Sequence, residues 1–343
     1  MTSFSNEPVP HASWSEAREN AAPTQRTLRL TTLIEGLKNP DVLACLQSTR
    51  ALVDMGENAV AALLGVLTEP NPLVRFVAAS AIAEIGADKA PFLAEALKVL
   101  NRDVRLETAW GLGLTGAIGA DVVLTLADAL KDKSVSVRLL AVWALGQRGV
   151  DARLAVPALA QALKDSDEDV RYEAAAALAE IGADARDAVP ALVEAFKDLS
   201  KEVRSHVVWA LRNIGPDAVS TLAEALKDPN EEVRRHAAWV LVNIGGDAVP
   251  AVLDALKHPS QLLRFQAVWA LKNIGPDAVP TLAGALKDAS AEVRFLAASA
   301  LGEIGSEAWN AVPALVEALK DPNNEVRSQA AWALGRIDPR VLI

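Results

Sequence analysis

Residues 231–245 read EEVRRHAAWVLVNIG, and copies of this stretch recur nine times from Leu73 onward. Each copy has an apolar residue followed by Arg, then a pair of small residues and an apolar residue seven positions after the Arg. The arginines, always 30 or 33 residues apart, are Arg75, Arg105, Arg138, Arg171, Arg204, Arg234, Arg264, Arg294 and Arg327. A fixed period of this size predicts a solenoid of stacked supersecondary units.

Each unit is predicted to contain two helices. The first has the form of residues 277–288, DAVPTLAGALKD, whose apolar residues fall on one helical face. A short turn follows, and the second helix runs to a Gly, which suits a left-handed C-cap. The three extra residues of the longer spacings are predicted to fall in the loop after that Gly, where insertions cost little. We expect the first helices to be capped by Asp217, Asp247 and Asp277.

The pattern V-R-x-x-A-A-x-A-L-x-x-I-G, preceded by A-V-P-A-L-x-x-A-L-K-D, resembles the HEAT-like repeats. It is most similar to the short repeats first noted in phycobilisome (bilin) lyases. The resemblance covers roughly residues 28–338. It implies an all-α, right-handed α-solenoid of about ten two-helix repeats, with the second helices lining the concave side.

We divide the chain into residues 1–27 and a single elongated repeat domain, residues 28–343. The first repeat, Leu28–Gly56, is degenerate, as end repeats often are. Two interpretations of residues 1–27 remain open. They form either a tail without fixed structure or a cap in which Trp14 covers the open end of the array.

Composition sets further limits on function. The formal net charge is −10 without any basic block, which argues against a nucleic-acid partner. The lone cysteine, Cys45, fits a reducing compartment. No apolar run suits a signal peptide or a membrane helix. We therefore predict a cytoplasmic protein without a membrane partner.

An aromatic side chain is predicted on the exposed face of every second helix after the first. At 100° per residue, the fifth position after each Arg points away from the core of the repeat. The first position after the Arg lies one turn earlier on the same face. The ring-bearing residues at these two positions are Phe76, Trp110, Trp143, Tyr172, Trp209, Trp239, Phe265, Trp269, Phe295 and Trp332.

These rings have two interpretations, which are compatible. They stack along the solenoid and stiffen it, or they form a concave recognition groove. Ten half-exposed rings of about 150–250 Å² each would exceed the apolar patch usual on a monomer. Acidic residues share this face, including Glu84, Glu107, Glu173, Glu180 and Glu303. We therefore expect a protein or peptide partner with apolar and basic residues.

No catalytic or cofactor site is predicted. His206 and His236 occupy equivalent positions in consecutive repeats, about 10 Å apart, which is too far for one zinc ion. Cys45 has no nearby His in sequence and is predicted to be a packed thiol. The His-Glu dipeptides of the di-iron hydroxylases among the HEAT-like proteins do not occur in this sequence.

The leading hypothesis is a non-enzymatic interaction scaffold that binds a partner segment in the aromatic, acidic groove. The alternatives are a chromophore-handling subunit similar to a bilin lyase, which would hold a tetrapyrrole against the Trp faces, and a structural spacer. No metal and no cofactor is expected for the scaffold.

Overall fold

The computed structural model describes residues 25–86, 90–98, 102–115, 119–338 and 340. These residues form ten pairs of α-helices, numbered here as repeats 1 to 10, with connecting turns and 3-10 segments. The chain is thus an all-α solenoid, as predicted. The tail or cap predicted at the N-terminus lies almost entirely outside the described residues.

In each repeat the odd-numbered helix comes first. The first helices are α1 (Gln25–Leu37), α3 (Glu57–Val66), α5 (Ala90–Ala96), α7 (Ala120–Ala129), α9 (Val156–Ala162), α11 (Val189–Glu194), α13 (Val219–Ala225), α15 (Val249–Ala255), α17 (Val279–Ala285) and α19 (Val312–Ala318). The second helices are α2 (Val42–Asp54), α4 (Pro72–Ile85), α6 (Arg102–Leu114), α8 (Val135–Gly146), α10 (Glu168–Ile181), α12 (Lys201–Ile214), α14 (Glu231–Ile244), α16 (Gln261–Ile274), α18 (Ala291–Ile304) and α20 (Asn324–Ile337).

The core face of the second helix follows the predicted register. In α10, Val170, Ala174, Leu178 and Ile181 are all buried, and equivalent residues of the other repeats join them in one continuous core. Small side chains let consecutive second helices approach closely. A Cβ added to Gly111 in α6 would lie 3.2 Å from the Cβ of Ala79 in α4.

The ends of the helices differ in part from expectation. The glycine after most second helices has positive φ, for example 72° at Gly215, as predicted. The capping role assigned to Asp217, Asp247 and Asp277 is wrong. These residues lie within 3-10 segments, and the first helices that follow begin without a side-chain cap.

Helix α1 begins at Gln25, three residues before the predicted start of the repeat domain. In the middle of the chain, residues Glu231–Ala255 form one stretch of 25 residues that contains an 18-residue window with a mean hydropathy of 1.3, enough by length and composition for a membrane span. This stretch consists of α14, a 3-10 segment and α15, and Val233, Leu241 and Val252 within it are buried in the solenoid core.

The difference between the two repeat spacings lies in the 3-10 segment before the first helix. This segment has seven residues at 149–155, 182–188 and 305–311, which belong to steps of 33 residues. It has four residues at 215–218, 245–248 and 275–278, which belong to steps of 30 residues.

After a long segment, the arginine of one repeat holds the turn aspartate of the next repeat. Arg138 donates to Asp165 through Nε (2.7 Å) and Nη2 (2.8 Å), and through Nη1 to the Asp132 carbonyl (2.9 Å) of its own turn. Asp165 also accepts the Asp167 N–H at 2.9 Å. The same bidentate ion pair joins Arg105 to Asp132, Arg171 to Asp198 and Arg294 to Asp321.

After a short segment this pair does not form. Arg264 instead contacts Glu292 at the start of the next second helix (2.7 Å). Arg204 and Arg234 bind turn carbonyls, and their buried Nε atoms have no partner in the described part of the chain. The carboxylate of Asp228, at the turn after such a short segment, instead lies 3.6 Å from Lys197.

The second helices reflect this difference. They pack most closely across steps of 33 residues, and among repeats 4 to 10 the contact between α12 and α14 is the sparsest. Repeats 6 to 9, joined by three consecutive short segments, thus form the least tightly tied tract of the described solenoid.

Replacing Asp165 by Asn is expected to lower the free energy of unfolding by about 1.5–3 kcal/mol, because a charge-assisted pair is lost while the turn acceptor is kept. Burial raises the pKa of Asp165, but the bonds from Arg138 and the Asp167 N–H outweigh it and hold the pKa below 3.8. Since the folded pKa is depressed, the stabilisation is present above pH 3.8 and is lost as the pH falls through the folded pKa. Urea denaturation measures both effects.

The matched control is Asp228→Asn, at the equivalent turn of a short step. Its change should stay below about 1 kcal/mol, because a long, partly exposed contact with Lys197 contributes little. Equal losses in the two variants would contradict the structural role of the Arg138–Asp165 pair.

Candidate functional site

The ten predicted aromatic residues lie on the second helices, and none of the ten is buried. Five of them are exposed, with relative solvent exposures of 52% for Trp239 and 69% for Phe265; the others are Phe76, Trp209 and Trp332. Trp110, Trp143, Tyr172, Trp269 and Phe295 are half-buried. The side chains therefore project from the layer of second helices instead of filling the interior of their repeats.

Two of the tryptophans rest on a glycine of the preceding repeat. A Cβ added to Gly113 would lie 2.0 Å from Cζ3 of Trp143, and one added to Gly302 would lie 2.3 Å from Cζ3 of Trp332. In repeats 6 and 7 the same position is Arg212 or Val242. Glycine at this position therefore leaves room for the ring of the following repeat.

Ring contacts occur at some steps of the solenoid. The Phe76 and Trp110 centroids are 4.1 Å apart, and His206 lies 4.1 Å from Tyr172 and 5.7 Å from Trp209. Among residues 201–274, all of which are described, the indoles of Trp209, Trp239 and Trp269 make no ring contact with one another. Stacking along the solenoid is therefore partial, and it does not cover the rings of repeats 6 to 8.

Two adjacent clefts open between the second helices in this tract. The first, of about 460 Å³, is lined by Val208, Trp239 and Trp269 with His236 and Arg235. The second, of about 610 Å³, lies between α16 and α18 and reaches the start of α20. Its lining includes the rings of Phe265, Trp269 and Phe295, the apolar Val268 and Leu296, and the acids Glu292, Glu303 and Glu325. Trp269 forms a wall of both clefts.

The acids of the concave face are less uniform than predicted. Glu84 pairs with Arg50 (3.1 Å) and Glu303 with Lys272 (3.2 Å), whereas Glu180 is exposed. Glu107 is only 8% exposed, so its expected place on an open surface is wrong. Glu107 lies near Asp103, one turn earlier on α6, and near the Arg75 guanidinium on α4, which pairs with Asp103 at 3.2 Å.

Burial also raises the pKa of two acids at equivalent positions. It raises the pKa of Glu107, against the attraction of Arg75. It likewise raises the pKa of Glu173, against the attraction of the neighbouring His206. Both pKa shifts arise because burial disfavours the charged carboxylate, and both acids lie two residues after the arginine of their repeat.

The residues considered for catalysis have packing roles. Both histidines are half-buried, and the Nδ1 atoms of His206 and His236 lie 3.1 Å and 2.7 Å from the carbonyls of Glu202 and Glu232. His236 also stacks on Phe196, with centroids 5.2 Å apart. Cys45 is a buried thiol, as predicted. The described residues contain no group of three His, Cys, Asp or Glu side chains placed to hold a metal ion.

Two notable side chains were missed by the sequence analysis. Arg148 is half-buried and donates to the carbonyls of Gly113 and Thr115 at the end of α6. Trp309 is exposed in the 3-10 segment before α19, away from the second helices. The Arg-Gly end of α8, where other copies have Ile-Gly, was the available signal for Arg148; the long spacing of repeat 10 placed Trp309 outside the motif.

Comparison with protein families identifies the repeat. The profile described as HEAT repeats matches residues 30–113, 90–156, 123–198, 156–224, 189–257, 219–290 and 279–342. No protein with a curated functional description matches the sequence. The similarity to the phycobilisome lyase branch stays a prediction.

Solved structures share the architecture. Kap121p bound to Pho4p has a TM-score of 0.50 and 18% identity over 94% of this chain and 43% of that chain. A multiply substituted Kap121p mutant has a TM-score of 0.51 and 18% identity over 90% of this chain and 41% of that chain. An engineered protein has a TM-score of 0.42 and 23% identity over 90% and 98% of the two chains. At these identities the likeness shows the fold alone, and this chain spans less than half the length of Kap121p.

Replacing Gly302 by Ala is expected to destabilise the protein by about 1–3 kcal/mol, because the new methyl group would collide with the Trp332 ring. Gly284→Ala in α17 is the control, since nothing lies within 4 Å of the added Cβ. That change should be neutral or stabilising by about 0.5–1 kcal/mol. Urea midpoints that shift equally would show that the ring does not rest on Gly302.

Proposed function

Because the chain belongs to the HEAT-repeat family, we propose that it is a non-enzymatic scaffold that binds a segment of a protein partner in the groove formed by its second helices. The solved structure of Kap121p bound to Pho4p is of a solenoid that holds a protein partner. That example is compatible with the proposal, which rests on the surface of this chain.

The observation that carries the proposal is the unstacked aromatic tract of repeats 6 to 8. Trp209 and Trp239 are exposed, Trp269 stands between two clefts, and the three indoles do not cover one another. Large exposed rings lining a cleft are typical of the centre of a binding surface, where aromatic anchors contribute most of the affinity. A pure spacer has no use for this arrangement.

The charge of the groove supports a partner with basic and apolar residues. Three acids line the wider cleft. Glu292 and Glu303 pair there with Arg264 and Lys272, whereas Glu325 forms no ion pair with a described residue, and the whole chain carries a formal charge of −10. Such a field speeds the approach of a basic segment and fixes its orientation more than it adds affinity. We place this interaction in the cytoplasm, which the single buried cysteine supports.

Changing Trp209, Trp239 and Trp269 together to Ala is expected to abolish capture of the partner from a lysate of the source cell, while the fold is kept. Partner loss is read by comparing captured proteins between wild type and variant, and the fold by circular dichroism. Because the rings are partly exposed, their removal takes away groove surface and leaves most of the core packing in place.

Trp309→Ala is the matched control, because Trp309 is as exposed as Trp239 (53% and 52%) but belongs to a 3-10 segment and not to a second helix. It should retain the partner. A triple variant that captures the same proteins as wild type would favour the structural spacer. A visible absorption band on adding bilin, lost in the triple variant, would favour the chromophore-handling alternative.

A further inference from the structure

Another cleft, of about 340 Å³, lies in repeats 3 to 5, where the second helices α6, α8 and α10 all contribute to its wall. Three aromatic residues, two leucines and two acids line it: Trp110, Leu139, Leu140, Trp143, Asp169, Tyr172 and Glu173. No Lys or Arg is among these lining residues. The wall thus combines aromatic and negatively charged side chains without a positive one.

The two acids of this cleft share one face of α10 with a ring. Asp169, Tyr172 and Glu173 lie at positions i, i+3 and i+4, which are neighbours on a helix surface with Cβ atoms about 5–6 Å apart. Tyr172 packs on His206, with ring centroids 4.1 Å apart, and Trp143 rests on a glycine of α6. Packing against other repeats therefore holds two of the rings that line the cleft with the carboxylates.

The same pair of acids occurs in repeat 3, where it holds an arginine of this chain. Asp103 and Glu107 occupy the motif positions of Asp169 and Glu173. Arg75, from the preceding repeat, pairs with Asp103 through Nη2 at 3.2 Å and also attracts Glu107. The side chain of Arg75 is only 7% exposed. An acid pair at these two positions can therefore accommodate a buried guanidinium.

In repeat 5 the corresponding arginine is engaged elsewhere. The step from repeat 4 to repeat 5 is 33 residues, against 30 residues from repeat 2 to repeat 3. Across the longer step Arg138 binds Asp165 through two N–H groups, at 2.7 and 2.8 Å. Within the described chain no hydrogen bond or ion pair reaches the carboxylate of Asp169 or Glu173, although His206 attracts Glu173 electrostatically. The acid pair of repeat 5 is thus left without a guanidinium.

A guanidinium is also the cation that suits the lining of this cleft. Its planar fork of five N–H donors can serve two carboxylates while its face lies on an aromatic ring. The ammonium of lysine is compact and strongly hydrated, so it gains less beside apolar side chains. A trimethylated ammonium can contact the rings but has no N–H to donate to the acids. Burial raises the pKa of Glu173, so a bound cation would offset a cost that is already present.

We propose that the cleft of repeats 3 to 5 binds an arginine side chain of the partner segment, with its guanidinium between the carboxylates of Asp169 and Glu173 and its flat face on the aromatic lining. This rests on the proposed scaffold function and names one anchor residue of the bound segment. The partner supplies in repeat 5 the charge that Arg75 supplies in repeat 3.

The test uses the full chain and four fluorescent heptapeptides, Gly-Ser-Leu-X-Leu-Ser-Gly, in which X is arginine, lysine, trimethyllysine or citrulline. Fluorescence anisotropy at low salt measures the dissociation constants. The arginine peptide is expected to bind about three- to tenfold more tightly than the lysine and trimethyllysine peptides. It should bind at least about tenfold more tightly than the citrulline peptide, which keeps the shape of arginine but lacks its charge.

Protein variants locate the binding. Asp169→Asn with Glu173→Gln should weaken the arginine peptide by about tenfold or more and remove its advantage over citrulline. Glu180→Gln with Glu325→Gln is the matched control, because it removes the same number of charges from exposed positions of second helices. It should change the dissociation constant by less than about twofold. Circular dichroism checks that both double variants keep the fold.

Equal binding of the arginine and citrulline peptides, tighter binding of the trimethyllysine peptide, or equal effects of the two double variants would overturn the inference. Absence of binding by all four peptides would overturn it too. In each case, partner capture that is still lost in the triple tryptophan variant would leave the scaffold function standing. Arginine-selective binding that needs both acids, together with unchanged capture by the triple tryptophan variant, would keep the arginine site and reject the proposed role of repeats 6 to 8.

Discussion

The bidentate ion pair between an arginine and the turn aspartate of the following repeat sets the geometry of the array. In Arg138–Asp165 the guanidinium also binds a carbonyl of its own turn, so one side chain ties three pieces of backbone across two repeats. Both partners are largely buried, with 11% and 10% of the side chains exposed. A pair of this kind requires close geometry to offset the loss of hydration. The length of the preceding 3-10 segment decides whether that geometry is reached.

The surface of the groove follows from the same constraint. Where the pair forms, the second helices lie close together, and rings such as Trp332 rest on a neighbouring backbone. Where it is missing, in the tract from Arg204 to Arg264, the helices contact each other less and the clefts beside Trp269 open. Structure and proposed function are thus linked through the spacing of helices, with no need for a separate binding domain.

The sequence was sufficient for the features that repeat. The 30 or 33 residue period, the buried Val, Ala, Leu and Ile positions and the glycine ends all reflect backbone geometry that every copy shares, so that repetition itself exposes them. Features that depend on contacts between copies were not accessible in this way. Asp228 occupies the same motif position as Asp165, yet it lacks the arginine because a loop is three residues shorter. Glu107 was judged by its helical angle alone, although it is buried near Arg75 of the preceding repeat.

The unsatisfied Nε atoms of Arg204 and Arg234 have a mechanical meaning. Because these Nε–H groups donate no hydrogen bond to the next repeat, no such bond must break when the adjoining repeats move relative to each other. Repeats 6 to 9 can therefore deform more easily than the repeats on either side of them. Lengthening one of these 3-10 segments by three residues would allow the arginine–aspartate pair to form at that step. The spacing of the second helices, and with it the affinity for a partner, could then change without a substitution in the groove.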